Sequence, residues 1–114
     1  MADLLTNAKQ LYDGQLTGTD ETTIYTVGAS TKAVVLQIVV CNINTSASLF
    51  SISTVGTGGS AGGHNRRLNQ ISVPANDAVI YDTFWELDTG DFLSAKQETA
   101  GMLTFLINGV EVAV

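Results

Sequence analysis

Cysteine is nearly missing from this sequence. Cys41 stands alone in 114 residues, so no disulfide can close within the chain. That excludes a disulfide-stapled secreted module. Set among valines, Cys41 reads as a small buried hydrophobe. Charge is scarce as well: 14% of residues carry it, against roughly 25% in ordinary soluble domains. Positive charge is scarcest, with five Lys and Arg against eleven Asp and Glu, a net −6. Nucleic acid is therefore not an expected partner, because phosphate binding needs clustered cations. The densest basic spot is the pair Arg66-Arg67, and two residues do not make a patch. No apolar run approaches the ~20 residues that cross a bilayer, so no membrane partner is expected. Met1-Ala2-Asp3-Leu4-Leu5 lacks the basic start and long apolar stretch of a signal peptide. The expectation is a soluble protein made in a reducing cytoplasm.

What is present is aliphatic and β-branched. Ala33 to Cys41 holds eight apolar residues in nine, five of them Val or Ile. Side chains stiff at χ1 pack well on a pleated surface, so this stretch predicts a strand. A half-buried strand alternates apolar with polar, yet here both faces are apolar. Val34, Leu36, Ile38 and Val40 are predicted to enter the core. The other face (Ala33, Val35, Gln37, Val39, Cys41) is too apolar for water and needs a cover. That surplus points to assembly rather than catalysis.

The rest of the chain repeats the theme at short spacing. Strands are predicted over residues 10–16, 22–27, 49–55, 67–73, 78–87 and 92–96. A last strand opens at 101–107 and closes at 110–112, with Asn108-Gly109 between. The separators are turn material: Gly18 to Glu21, Gly28 to Thr31, Asn42 to Ser48, Pro74 to Asp77, Asp88 to Asp91 and Gln97 to Gly101. Gly56 to Asn65, with five glycines in ten residues, is expected to be a mobile loop. At 114 residues and 12.0 kDa there is room for one core. About eight strands and no convincing helix predict an all-β antiparallel sandwich, jelly-roll-like, over residues 9–114, preceded by an arm at 1–8. The pattern leaves strand connectivity open.

Few residues invite chemistry. Asp82, Glu86, Asp88 and Asp91 cluster in sequence, but a Ca²⁺ loop needs more ligands at alternating positions, and Thr89-Gly90 makes a turn. His64, the single histidine, sits in the glycine segment, where a catalytic imidazole would lack rigid support. Gly56-Thr57-Gly58-Gly59-Ser60 lacks the following Lys-Ser/Thr and helix of a phosphate cradle. Tyr81, Phe84 and Trp85 suggest a sugar platform, but adjacent Phe84 and Trp85 face opposite sides of a strand, one to core and one to an interface. No cofactor, metal or catalytic residue is expected. The residues expected at an interface are Val35, Gln37, Val39, Trp85, Arg66 and Arg67.

Several stretches together resemble a family. They are Leu11-Tyr12-Asp13-Gly14-Gln15-Leu16, Tyr25-Thr26-Val27 with Gly28 and Thr31, and Val40-Cys41-Asn42. In the second half they are Ile71-Ser72-Val73-Pro74-Ala75-Asn76-Asp77, Thr89-Gly90-Asp91-Phe92-Leu93-Ser94-Ala95 and Ile107-Asn108-Gly109-Val110-Glu111. Over residues 9–112 the chain resembles small virion proteins of tailed bacteriophages. The resemblance implies a non-enzymatic β-sandwich bound to the phage particle, as a head decoration (cement) protein or a tail, neck or fibre component. Implied partners are copies of itself, expected as a trimer, and the major capsid protein or other virion proteins. The rival from the residues alone is a carbohydrate-binding sandwich, which needs an exposed aromatic strip.

Overall fold

The computed structural model describes residues 8–99, 101 and 103–114. Eight strands follow in order: β1 (Ala8–Gln15), β2 (Thr22–Thr26), β3 (Thr31–Asn42), β4 (Ser48–Val55), β5 (Arg66–Val73), β6 (Ala78–Leu87), β7 (Phe92–Gln97) and β8 (Leu103–Ala113). The arm expected at residues 1–8 lies outside the described residues except for Ala8, which opens β1. Asn108-Gly109 does not interrupt the last strand; both lie within β8.

The strands form two four-stranded sheets. Sheet A has the order β1-β8-β3-β6 and sheet B the order β2-β7-β4-β5. Every observed pair is antiparallel. Four of the pairings (β4–β5, β3–β6, β2–β7, β1–β8) are those of one long hairpin folded at residues 56–65. Rolling that hairpin into two sheets adds β8–β3 and β7–β4. This is the jelly roll, with β1 and β6 at the edges of sheet A and β2 and β5 at those of sheet B.

Between the sheets lies one apolar core. Phe50 of β4 meets Phe105 of β8 edge to face, ring centroids 5.8 Å apart. Ile38, Ile52, Leu87, Leu93, Leu103 and Ile107 fill the space around them. Two buried amides close one end of the sandwich. Gln97 donates to the carbonyls of Leu16 (2.7 Å) and Gly18 (2.8 Å) and accepts from Leu103 N–H. Asn42 donates to Ser46 and Val73 carbonyls and accepts from Asn44 N–H. Each pairs backbone groups at the strand ends and connections that the sheet ladders leave free.

The central strand departs from its sequence pattern. Val35 pairs with Gly109 on β8 but Gln37 pairs with Asn108, so β3 carries one extra residue, Leu36. Such a bulge reverses the alternation. Ala33 and Val35 point inward before it, Ile38 and Val40 after it. The expected core face is therefore right only in its second half. The bulged backbone is held by Thr83, whose hydroxyl donates to the Val35 carbonyl at 2.7 Å. It also explains Gly109: a Cβ there would lie 2.2 Å from the Val34 oxygen.

A candidate assembly face

The outer face of sheet A follows from the register. Val39 lies opposite Ile80 of β6 on one side and Leu106 of β8 on the other. Cys41 sits between Ala78 and Thr104, Gln37 between Asp82 and Asn108, and Val34 between Glu86 and Val110. The centre of this solvent-facing sheet is thus a band of aliphatic side chains, with the bulged Leu36 beside it. An antiparallel sheet that ends at water normally alternates apolar inside with polar outside. Here even the polar pair is self-satisfied: Asn108 donates to the Gln37 side-chain oxygen at 3.2 Å.

The most exposed members run along β6. Ile80 is 62% and Phe84 69% exposed, and Ile43, in the connection after β3, is 60% exposed. β6 is an edge strand. Edges of soluble proteins are ordinarily blunted by Lys, Pro or bulges, because unpaired backbone and apolar side chains together invite association. Along β6 the outward row reads Ala78, Ile80, Asp82, Phe84, Glu86, apolar side chains alternating with carboxylates, and its pairing with β3 shifts register between Trp85 and Asp82. Fully removing a Phe or Ile side chain from water is worth about 1.5–3 kcal/mol each.

Of the residues expected at an interface, Val39 and Gln37 lie on this face, half-buried. Val35 does not: it is completely buried in the protomer's own core, turned inward by the bulge one residue on. Trp85 likewise packs inward against the core, and its neighbour Phe84 takes the exposed position. Arg66 and Arg67 belong to sheet B. Arg66 is ion-paired with Glu21 and donates to Ser53 at 3.0 Å, while Arg67 Nε donates to Thr54 Oγ1 at 2.7 Å. The Glu21 carboxylate also accepts from Ser94 at 2.7 Å. On sheet B, Ser53 and Ser94 are thus buried beneath the Arg66–Glu21 pair, whereas the middle of sheet A carries Val39 and Leu106 half-buried.

The acidic residues are dispersed. Asp82 and Glu86 point outward from β6, whereas Asp91 is occupied within its turn, accepting from Asp88 N–H (2.9 Å), Thr57 N–H (3.2 Å) and Thr57 Oγ1 (3.3 Å). Among the described residues no three His, Cys, Asp or Glu side chains converge to hold a metal. A cleft of about 170 Å³ includes Arg67, Glu86 and Asp91 in its lining, below the roughly 300 Å³ at which ligand pockets begin. His64 stands beside Asn65, 3.3 Å between side-chain nitrogens. The glycine segment, expected to be a mobile loop, carries polar ties within itself and to a neighbouring turn. Asn65 accepts from Gly62 N–H at 2.9 Å and donates to the Ser60 carbonyl at 3.0 Å, while Thr57 binds the Asp88–Asp91 turn. Gly63–Asn65 forms one 3₁₀ turn, followed directly by β5, so no helix faces the glycines.

Sequence reasoning missed one cluster. Tyr25 of β2 donates to Glu111 of β8, and Lys9 of β1 binds the same carboxylate at 2.9 Å. Burial, then the hydrogen bond to Glu111, raises the Tyr25 pKa well above its usual value. The hydrogen bonds from Tyr25 and then Lys9 hold the Glu111 carboxyl below its usual range. Tyr25 and Glu111 stand 86 residues apart, and no local motif announces such a pair.

No protein-family model matches the chain, and no characterised protein matches it in sequence. Solved structures are similar to it. A pentameric capsid protein isolated from metagenomic phage sequences is 21% identical with a TM-score of 0.47, over 96% of this chain and 62% of that one. Infectious bursal disease virus, Gx strain, gives 10% identity and a TM-score of 0.51 over 93% of this chain and 31% of the other. The tobacco streak virus coat protein gives 11% and 0.42, over 95% and 84%. The chain spans less than two thirds of the first two. At these identities the likeness to the bursal disease virus protein is one of fold.

Proposed function

We propose that this chain is a non-enzymatic structural subunit of a bacteriophage particle, a head decoration protein that joins copies of itself and the shell through the outer face of sheet A. The observation that carries the reading is the aliphatic band Val34, Val39 and Leu106, continued by exposed Ile80 and Phe84 along an edge strand. A solvated sheet has little use for these side chains, and exposed apolar surface bordered by polar groups marks a contact. The resemblance to small tailed-phage virion proteins over residues 9–112 supplies the particle. The jelly roll permits the role without selecting it, since folds host many functions.

The arrangement of reactive groups supports a role without chemistry. Asp91 is occupied in a turn, the His64 ring meets the Asn65 amide, and the cleft is small. Of the three aromatics on β6, Tyr81 and Trp85 pack against the core, which leaves Phe84 alone and no aromatic strip for sugar. A decoration protein works by burying area at every subunit joint. Each contact is small, and symmetric repetition multiplies it over the shell.

The test has two arms. Light scattering on the purified chain should report a closed homo-oligomer; a trimer is three times 12.0 kDa, about 36 kDa. A particle stable at 12.0 kDa and micromolar concentration overturns the assembly reading. Adding the protein to particles that lack it and imaging them should place density on the head shell. Density confined to neck, tail or fibre overturns the head assignment and keeps the structural one.

A further inference from the structure

The register shifts of sheet A fall on one line across it. On β1, Gln10 pairs with Asn108 and Tyr12 with Ile107, which leaves Leu11 without a counterpart on β8. On β3 the residue without one is Leu36, between the Val35–Gly109 and Gln37–Asn108 pairs. Between β3 and β6, Val35 meets Trp85 and Gln37 meets Asp82, so Thr83 and Phe84 oppose Leu36 alone. A bulge interrupts the ladder and bends its strand. Here the interruptions lie side by side from one edge of the sheet to the other, with Gly109 at the crossing. A Cβ on Gly109 would press on both flanking strands, 2.2 Å from the Val34 oxygen and 2.8 Å from Leu11 Cδ1.

The line divides sheet A into two parts that are fastened to sheet B differently. The larger part holds residues 12–15, 37–42, 78–82 and 103–108. It carries Phe105, edge to face with Phe50 of sheet B, and the core residues Ile38 and Ile107. Its Asn42 donates to the Val73 carbonyl on β5, and its Leu103 N–H donates to Gln97 on β7, both bonds buried. The smaller part holds residues 8–10, 31–35, 85–87 and 109–113. Ala33, Val35 and Leu87 are its most buried apolar side chains. Among the described residues, its side-chain hydrogen bond to a strand of sheet B is that of Tyr25 with Glu111, and both partners are only half-buried. The Lys9–Glu111 ion pair lies within the smaller part and ties it internally.

We infer that sheet A is two cooperative units hinged on the line of bulges, and that the smaller unit opens by itself, fastened to sheet B by the Tyr25–Glu111 bond. Stability is distributed unevenly over a structure, and units with few buried contacts open first. Bulged residues have no ladder partner to lose when the sheet flexes along their line. The Thr83 hydroxyl, donating to the Val35 carbonyl at 2.7 Å, is the side-chain tie that spans the hinge. Opening uncovers Val35 and Leu87 at one end of the core and leaves the Phe50–Phe105 end closed.

Residue-resolved amide hydrogen exchange at pH 7 tests the division. In the native chain, hydrogen-bonded amides of residues 33–35, 85–87 and 110–112 should exchange faster than those of 38–41 and 105–107. Tyr25→Phe removes one hydroxyl and keeps the ring. It should speed exchange in the first group about five-fold, the effect of a charged hydrogen bond discounted for partial exposure. The second group should keep its rates. Thr83→Val, which frees the Val35 carbonyl at the hinge, should give the same pattern. If Tyr25→Phe speeds both groups by one common factor, sheet A is a single unit and the inference falls. It falls equally if neither group responds, because the Tyr25–Glu111 bond is then not the fastener.

Discussion

Gly109 shows how far one residue's meaning depends on a partner strand. Beside Asn108 it looks like a turn, yet it faces the β3 bulge inside β8. Gly109→Ala would set a Cβ 2.2 Å from the Val34 oxygen and 2.8 Å from Leu11 Cδ1. Backbone cannot retreat as a flexible side chain can, so a loss of about 3 kcal/mol is expected, at the upper end of overpacking costs. Gly28→Ala, where nothing lies within 4 Å, should change stability by no more than about 0.5 kcal/mol. Urea midpoints of the two variants measure both, and equal midpoints would contradict the packing at the bulge. The pairs Val35/Val39 and Phe84/Trp85 carry the same lesson. Their apolar character was legible; which member faces out was not, since only the register decides it.

At the scale of the element, eight strands and their turns were readable because Gly, Pro, Asn and Asp punctuate runs of β-branched residues. The bulge in β3 was not readable. A strand apolar on both faces gives no sign when its alternation reverses, and Leu36 is as apolar as its neighbours. Of three residues of that strand expected to face outward together, Val39 and Gln37 do so and Val35 points inside. Val39→Asp should keep the far-ultraviolet spectrum and lose assembly, whereas Val35→Asp buries an unpaired carboxylate and should abolish the fold. Identical behaviour of the two on a sizing column and by circular dichroism would count against this placement.

The Tyr25–Glu111–Lys9 cluster ties three strands and has a pH signature. Glu111 is held below its ordinary value of about 4.5, so its contribution is complete above that pH and is lost as pH falls through the lower folded value. Tyr25 is raised above its ordinary 10.0, so its contribution is complete below that pH and is lost as pH rises beyond it. Tyr25→Phe should therefore lower Tm most between about pH 5 and 9, with the difference from wild type narrowing toward pH 3. A constant difference down to pH 3 would show that the carboxylate is not the partner that matters.

Over the whole molecule, pairing could not be read from the sequence because it is set by closure. β1 meets β8 and β3 meets β6 only once one long hairpin has rolled into two sheets. The result leaves Val39, Leu106, Ile80 and Phe84 on the outer face of sheet A, and a contact built on them predicts how attachment responds to salt. Exposed charge pairs weaken within a Debye length of about 8 Å at physiological ionic strength and about 3 Å at 1 M, while apolar burial is not screened. Binding to particles should thus survive 1 M NaCl, with charge affecting rate and orientation more than occupancy. Residues 2–7 precede β1 and carry Leu4 and Leu5. Deleting them leaves every described strand intact, so Tm should hold. If these residues add apolar contact with the shell, occupancy on protein-free particles should fall several-fold at every salt concentration. Full occupancy by the truncated chain would leave sheet A as the whole anchor. Release of the intact chain at moderate salt would overturn the apolar account, because only a contact built on charge behaves that way.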